Sequence, residues 1–186
     1  MRLDTLKHLA RTACSIADES KVIVFGSASL LPTFPELGDD HGGPLAKTND
    51  ADFIVEPWDE EVGVVLDGTL GEGEPFHNHF GYYADIIRPI AFEQFPKGWE
   101  DRLVPLPGVE RVFCLDPHDM AAAKCQAGRP KDVELLAFLI ATGKLDPAEV
   151  KERLYLVPMR EAMIVRSHNI LKEAVARAAE LPREER

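Results

Sequence analysis

Asn49-Asp50-Ala51-Asp52-Phe53-Ile54-Val55 is the stretch on which the fold turns. In an extended chain, residues i and i+2 point to the same face. Asp50 and Asp52 would therefore project side by side, while Ala51, Phe53 and Val55 turn toward a core. Two carboxylates at that spacing repel each other and raise one protonation constant unless a cation neutralises them. A hard divalent ion with oxygen ligands, such as Mg²⁺, is the economical neutraliser. A lone Asp-x-Asp at a strand end is also ordinary turn chemistry or solvated charge, so its neighbours decide the reading.

Upstream, Lys21-Val22-Ile23-Val24-Phe25 reads as a buried strand that runs into Gly26-Ser27. Glycine there lets backbone approach a phosphate, and the Ser27 hydroxyl adds a donor. Downstream, Tyr82 to Ile87 is a third strand and carries Asp85, a carboxylate able to join the first two. Three clustered carboxylates suit a two-metal phosphoryl or nucleotidyl transfer site, in which one ion activates a hydroxyl and the other steadies the leaving pyrophosphate.

Around these strands the pattern alternates between helix and strand. Leu3, Leu6, Leu9, Ala10, Ala13, Ile16 and Ala17 have helical spacing over residues 2–19. Residues 32–48, with three prolines and three glycines, predict a loop. Asp59 caps a helix to Leu70, Gly71 to Pro75 is a turn, and Arg111 to Leu115 is a fourth strand. Asp116-Pro117-His118-Asp119 starts a helix that stops at Gly128, and a second spans about 130–142. Asp146-Pro147-Ala148-Glu149 reads as a capping box, and a last helix runs from Met159 to about Glu180. The expected architecture is α/β (α+β): a small mixed sheet flanked by helices over 1–115, then a helical C-terminal part over 116–186 packed on it.

Composition limits the partners. The 186 residues carry a net charge of −11, and Glu36 to Glu74 holds twelve carboxylates against the single Lys47. A general nucleic-acid binder would show a basic footprint over much of its surface, which this chain lacks. No run approaches the roughly 18 apolar residues of a membrane span. The N-terminus places Asp4 and Lys7 where a signal peptide needs its apolar core, so no export signal is expected there. Cys14, Cys114 and Cys125 are scattered and odd in number, which points to a reduced cytoplasmic compartment.

The order Phe25-Gly26-Ser27, Asp50-Ala51-Asp52-Phe53-Ile54, then Asp85 resembles the nucleotidyltransferase superfamily typified by DNA polymerase beta. Pro96 to Leu103 and Ala123 to Asp132 are similar to a later signature of the small bacterial abortive-infection and toxin–antitoxin nucleotidyltransferases. The resemblance covers about residues 20–142. It implies a Mg²⁺-dependent transfer of a nucleotide from a nucleoside triphosphate to a hydroxyl acceptor, which could be RNA, a protein side chain or a small molecule, and the possibility of an antitoxin partner. It makes Asp50, Asp52 and Asp85 the catalytic metal ligands, and Gly26 and Ser27 triphosphate binders. Lys124, Arg129 and Lys131 would neutralise the triphosphate, with Asp132 holding one of those cations or the helix terminus. The 22 residues between Ser27 and Asp50 exceed the usual spacer. That excess makes the loop a lid or partner-binding element, and it supports a rival reading as a catalytically silent nucleotide- or partner-binding module.

Three features read more plainly. His77-Asn78-His79 would put two imidazoles on one strand face, but no further Cys or His completes a zinc site. Trp58 and Trp99 read as packing residues. Met159, Met163, Leu171 and Val175 form the packing stripe of the last helix; Arg153, Arg160 and Arg166 with Lys172 and Arg177 offer a basic side for RNA, but interleaved Glu152, Glu161 and Glu173 argue for a solvated face.

Overall fold

Strand alternation and helix caps organise the chain as the periodicities dictate. The computed structural model describes residues 1–18, 20–39 and 43–181. They divide into two compact units, one comprising Met1–Ala91 with Arg102–Asp116, the other Phe92–Asp101 with the chain from Pro117 onward.

In the first unit, α1 (Leu3–Ile16), α2 (Glu60–Leu70) and α3 (Pro75–Phe80) accompany β1 (Lys21–Phe25), β2 (Asp50–Glu56), β3 (Tyr83–Ile86), β4 (Val104–Pro105) and β5 (Val112–Cys114). The five strands form one mixed sheet in the order β3-β2-β1-β5-β4. β1 runs antiparallel to β2 and parallel to β5, and β2 runs parallel to β3. Val22, Val24, Ala51, Phe53, Val55 and Ala84 turn one face of the sheet fully inward. Leu6, Leu9, Ala10 and Ala13 give α1 its buried stripe, which lies against β1 and α2. Lys21 pairs with Glu56 at 2.6 Å across the β1–β2 register. Asp59 caps α2 as its sequence predicts, accepting from the N–H groups of Glu61 and Val62 at 2.8 and 3.1 Å.

The segment read as a loop over 32–48 is a loop with one 3-10 turn, and it anchors itself in the core through Leu37 and Leu45. Turns of 3-10 helix occupy Ser27–Leu30 and Pro35–Gly38, and Leu30, Leu31, Leu37 and Leu45 are buried. Leu45 N–H donates to Leu37 O at 2.9 Å, and the Met1 ammonium donates to Leu45 O. Short 3-10 turns lack the 3.6-residue apolar period, which is why prolines and glycines masked them. Asp40, His41 and Gly42 of this stretch lie outside the described residues.

The second unit consists of α4 (Pro117–Ala127), α5 (Pro130–Ala141), α6 (Pro147–Leu156) and α7 (Glu161–Glu180), with Trp99 packed between Phe92 and Phe95. Asp146 caps α6 through Ala148 N–H at 2.8 Å, but no capping box forms. Glu149 turns to Arg153 at 2.7 Å, and the Asp146 N–H donates to His118 Nε2 at 3.2 Å instead. The buried stripe of α7 is Ser167, Leu171, Ala174 and Ala178; Met163 and Val175, expected in it, are exposed. Among the described residues no helix is long and apolar enough to cross a membrane.

Candidate active site

The register of the sheet brings the three sequence-identified carboxylates to one face. Asp52 stands opposite Asp85 in the parallel β2–β3 ladder, and Asp50 stands opposite Tyr83. Paired residues share a face, and Asp50 lies one pleat from Asp52 on the same side. The next residue on that side, Ile54, is fully buried, whereas Asp50, Asp52, Tyr83 and Asp85 are half-buried. The carboxylates thus occupy the open end of a face that is covered further along.

Their crowding shows in the protonation of Asp85. Burial first, then the charges of Asp50, Glu72 and Asp67, push the Asp85 carboxyl above the ordinary carboxylate range. The Tyr83 phenol is likewise pushed up by burial and by Asp85, Asp50, Glu72 and Asp52. Tyr83 escaped the sequence reading, although it lies two residues before Asp85 and strand alternation alone places the two together. Glu72 and Asp67 had no such signal, because they come from α2 and the turn after it.

Gly26 joins this face to the end of β1, where Phe25 pairs with Asp52. A β-carbon built on Gly26 would stand 2.0 Å from Asp52 Oδ2, and the backbone there has φ +66 and ψ −159. Both facts require glycine: a side chain would occupy the carboxylate's place, and this conformation is essentially glycine's alone. Ser29, fully buried, closes the turn by donating from its hydroxyl to Gly26 O at 2.8 Å. The Ser27 side chain makes no hydrogen bond among the described residues and remains half exposed.

Hard carboxylate oxygens gathered on one face suit Mg²⁺. Among the described residues no three His, Cys, Asp or Glu side chains are drawn closely enough to cage an ion unaided. The two imidazoles considered for a softer metal do not share a face. Pro75 at the start and Gly81 in the left-handed conformation at the end make Pro75–Phe80 a short helix. Residues two apart on a helix diverge, and His77 Nδ1 is already occupied by the Gly73 N–H at 2.8 Å.

In the second unit, Lys124, Arg129, Lys131 and Asp132 meet at the α4–α5 junction. Asp132, 1% exposed, accepts from Lys124 Nζ at 2.9 Å and from Arg129 Nε at 2.7 Å. Burial alone would raise its carboxyl, but hydrogen bonds and charge from Arg129 and Lys124 outweigh it and hold Asp132 below the ordinary range. Lys124 is buried with its ammonium on that carboxylate, which also accepts from Arg129. Arg129 is 57% exposed at its side chain, and Lys131 is exposed.

A mixed sheet in which a Gly-Ser turn leads from one strand to the carboxylate-bearing face of its neighbours is the architecture of the nucleotidyltransferases. The match with known proteins is narrower. Residues 1–172 fit the family described as "nucleotidyltransferase of unknown function" (DUF6036), and the chain belongs to that family. No curated protein and no solved structure matches it.

Proposed function

We propose that the protein transfers a nucleotide from a nucleoside triphosphate to a hydroxyl acceptor with Mg²⁺. The observation that supports this most is the β2–β3 register, which pairs Asp52, itself hard against Gly26, with Asp85 and sets Asp50 on the same face. The acceptor oxygen attacks the α-phosphorus, a new P–O bond forms as the bond to pyrophosphate breaks, and the acceptor's proton passes to a carboxylate or to water. Asp50, Asp52 and Asp85 would hold Mg²⁺, which when bound neutralises the developing charge and activates the hydroxyl. Gly26 admits a phosphate to the backbone and Ser27 offers its free hydroxyl. Exposed Arg129 and Lys131 supply the cationic chemistry that phosphates need, while Lys124 and Asp132 keep Arg129 in place.

The test is transfer of α-labelled nucleotide to total RNA, to protein and to a panel of small hydroxyl compounds. Asp50→Asn and Asp52→Asn should abolish labelling while the fold, followed by circular dichroism, is retained. Labelling by Asp52→Asn at the wild-type rate sinks the reading. The likeness of Pro96–Leu103 and Ala123–Asp132 to toxin-type enzymes supports a growth-arresting role restrained by an antitoxin protein. Its check is arrest on expression of the wild type and none with Asp50→Ala.

A further inference from the structure

The second unit carries an open groove of about 610 Å³ that the carboxylate chemistry does not use. Ligand sites fall in the range of roughly 300–1,000 Å³ and combine apolar walls with a few polar groups. Here Pro158, Met159 and Met163 form the apolar wall, and Glu93, Gln94, Gln126 and Arg160 are the polar lining, Glu93 being an acceptor suited to a base N–H and not to a phosphate. Methionine adapts its shape to flat rings and its sulfur is attracted to them. Gln126 Nε2 donates to Gln94 O at 2.8 Å and to Ala122 O at 3.3 Å. Both bonds use the amide nitrogen, so the side chain is held and Oε1 is left to accept from a ligand.

One turn further along α7, on the side that carries Met163, is Arg166. Its guanidinium rests on the α4–α5 turn: a β-carbon on Gly128 would stand 3.7 Å from Arg166 Nη2. Gly128, at φ +60, ends α4 by donating its N–H to Lys124 O at 2.9 Å, and Arg129, Pro130 and Lys131 follow at once. Among the described residues Arg166 and Lys131 make no hydrogen bond or ion pair, so both are available to an anion. Met163 and Arg166 lie about 4.5 Å apart along the helix axis, comparable to the span of a ribose. The apolar groove therefore lies one helical turn from Arg166, whose guanidinium rests on the turn that leads into Arg129 and Lys131, an order of apolar pocket then positive charge that matches base then phosphates.

We infer that this groove seats a nucleoside triphosphate. Its base lies against Pro158, Met159 and Met163 with an N–H on its edge donating to Gln126 Oε1, and its phosphates reach Arg166, Arg129 and Lys131. The inference takes the ligand from the reading above but asks nothing of the carboxylates. Arg166 thereby joins Arg129 and Lys131 as an anion-binding group, while the buried Lys124 ammonium pairs with Asp132.

The experiment is calorimetric binding of each of the four common nucleoside triphosphates to the full chain in EDTA, so that no carboxylate-held metal contributes. Met163 and Arg166 are exposed, and Met163→Glu and Arg166→Ala should fold as the wild type does. Each should weaken the best nucleotide by about tenfold or more, the loss expected for one charge-assisted contact. Val165→Glu, also exposed but off the groove, is the control and should bind normally. Wild-type affinity in both groove variants overturns the inference, as does absence of nucleotide binding by the wild type, or binding of a short RNA in place of the triphosphates. Groove-dependent binding without transfer to any acceptor would retain the groove and reject the transferase reading. Transfer with unchanged KM in both groove variants would do the reverse.

Discussion

Replacing Gly26 with alanine tests whether the Gly-Ser turn and the Asp-bearing strand form one site. The added methyl would stand 2.0 Å from Asp52 Oδ2 and 3.0 Å from its Cγ, far inside contact distance. Two costs follow. Holding a non-glycine residue at φ +66, ψ −159 costs about 1–3 kcal/mol. Forcing the carboxylate and its strand aside costs a further ~1–3 kcal/mol, as overpacking does. Gly26→Ala should therefore lose roughly 2–6 kcal/mol in urea unfolding followed by far-UV circular dichroism. In an Asp52→Ala background the obstructing carboxylate is gone and only the backbone cost remains, so the same change should lose about 1–3 kcal/mol. The difference is a coupling energy between Gly26 and Asp52 that a double-mutant cycle reads directly. Equal losses in the two backgrounds would refute the close approach. Gly26→Ala should also depress nucleotide transfer, because Asp52 cannot keep its place beside the turn.

Other expectations concern the buried charges and the long spacer. Lys124→Met leaves Asp132 buried with one partner fewer and should cost about 3–5 kcal/mol, much of it recovered in Lys124→Met/Asp132→Leu, where no charge is stranded; a single-mutant loss under ~1 kcal/mol would refute the buried pair. Asp132 is held below its ordinary value, so it favours the folded state above the unfolded carboxyl value of about 3.9 and loses that contribution as pH falls through the lower folded value. Acid unfolding should accordingly be shallower over that window in Asp132→Asn, and an unchanged acid limb would contradict it. Leu37→Ala, at a side chain only 1% exposed, should cost about 2–5 kcal/mol. A change within ±0.5 kcal/mol, typical of surface loops, would mean that this segment is not part of the core.

Much of the fold was legible because its signals are local. Alternation over residues 49–55 put Asp50 and Asp52 on one face and Ala51, Phe53 and Val55 on the other, as the burial pattern of β2 has it. Asp59 and Asp146 announced helices because a capping side chain acts on N–H groups two or three residues away. His77 and His79 were misread because six residues carry too little periodicity to tell helix from strand, and Pro75 and Gly81, which settle it, act only at the ends. The two-residue strand β4 was invisible for the same reason.

By itself, then, the sequence determined which carboxylates share a strand face, where the main helices start and stop, and that a Gly-Ser turn follows the first strand. Only the tertiary structure decided that Asp52 pairs with Asp85 and abuts Gly26, that Leu37 and Leu45 bury the long spacer, and that Lys124 is spent on Asp132 while Arg166 reaches the α4–α5 turn. Dihedral preferences, caps and side-chain period act over a few residues and are written in the sequence. Strand register and buried charge pairs join residues brought together by burial of the core, and no local pattern encodes which partner each will meet.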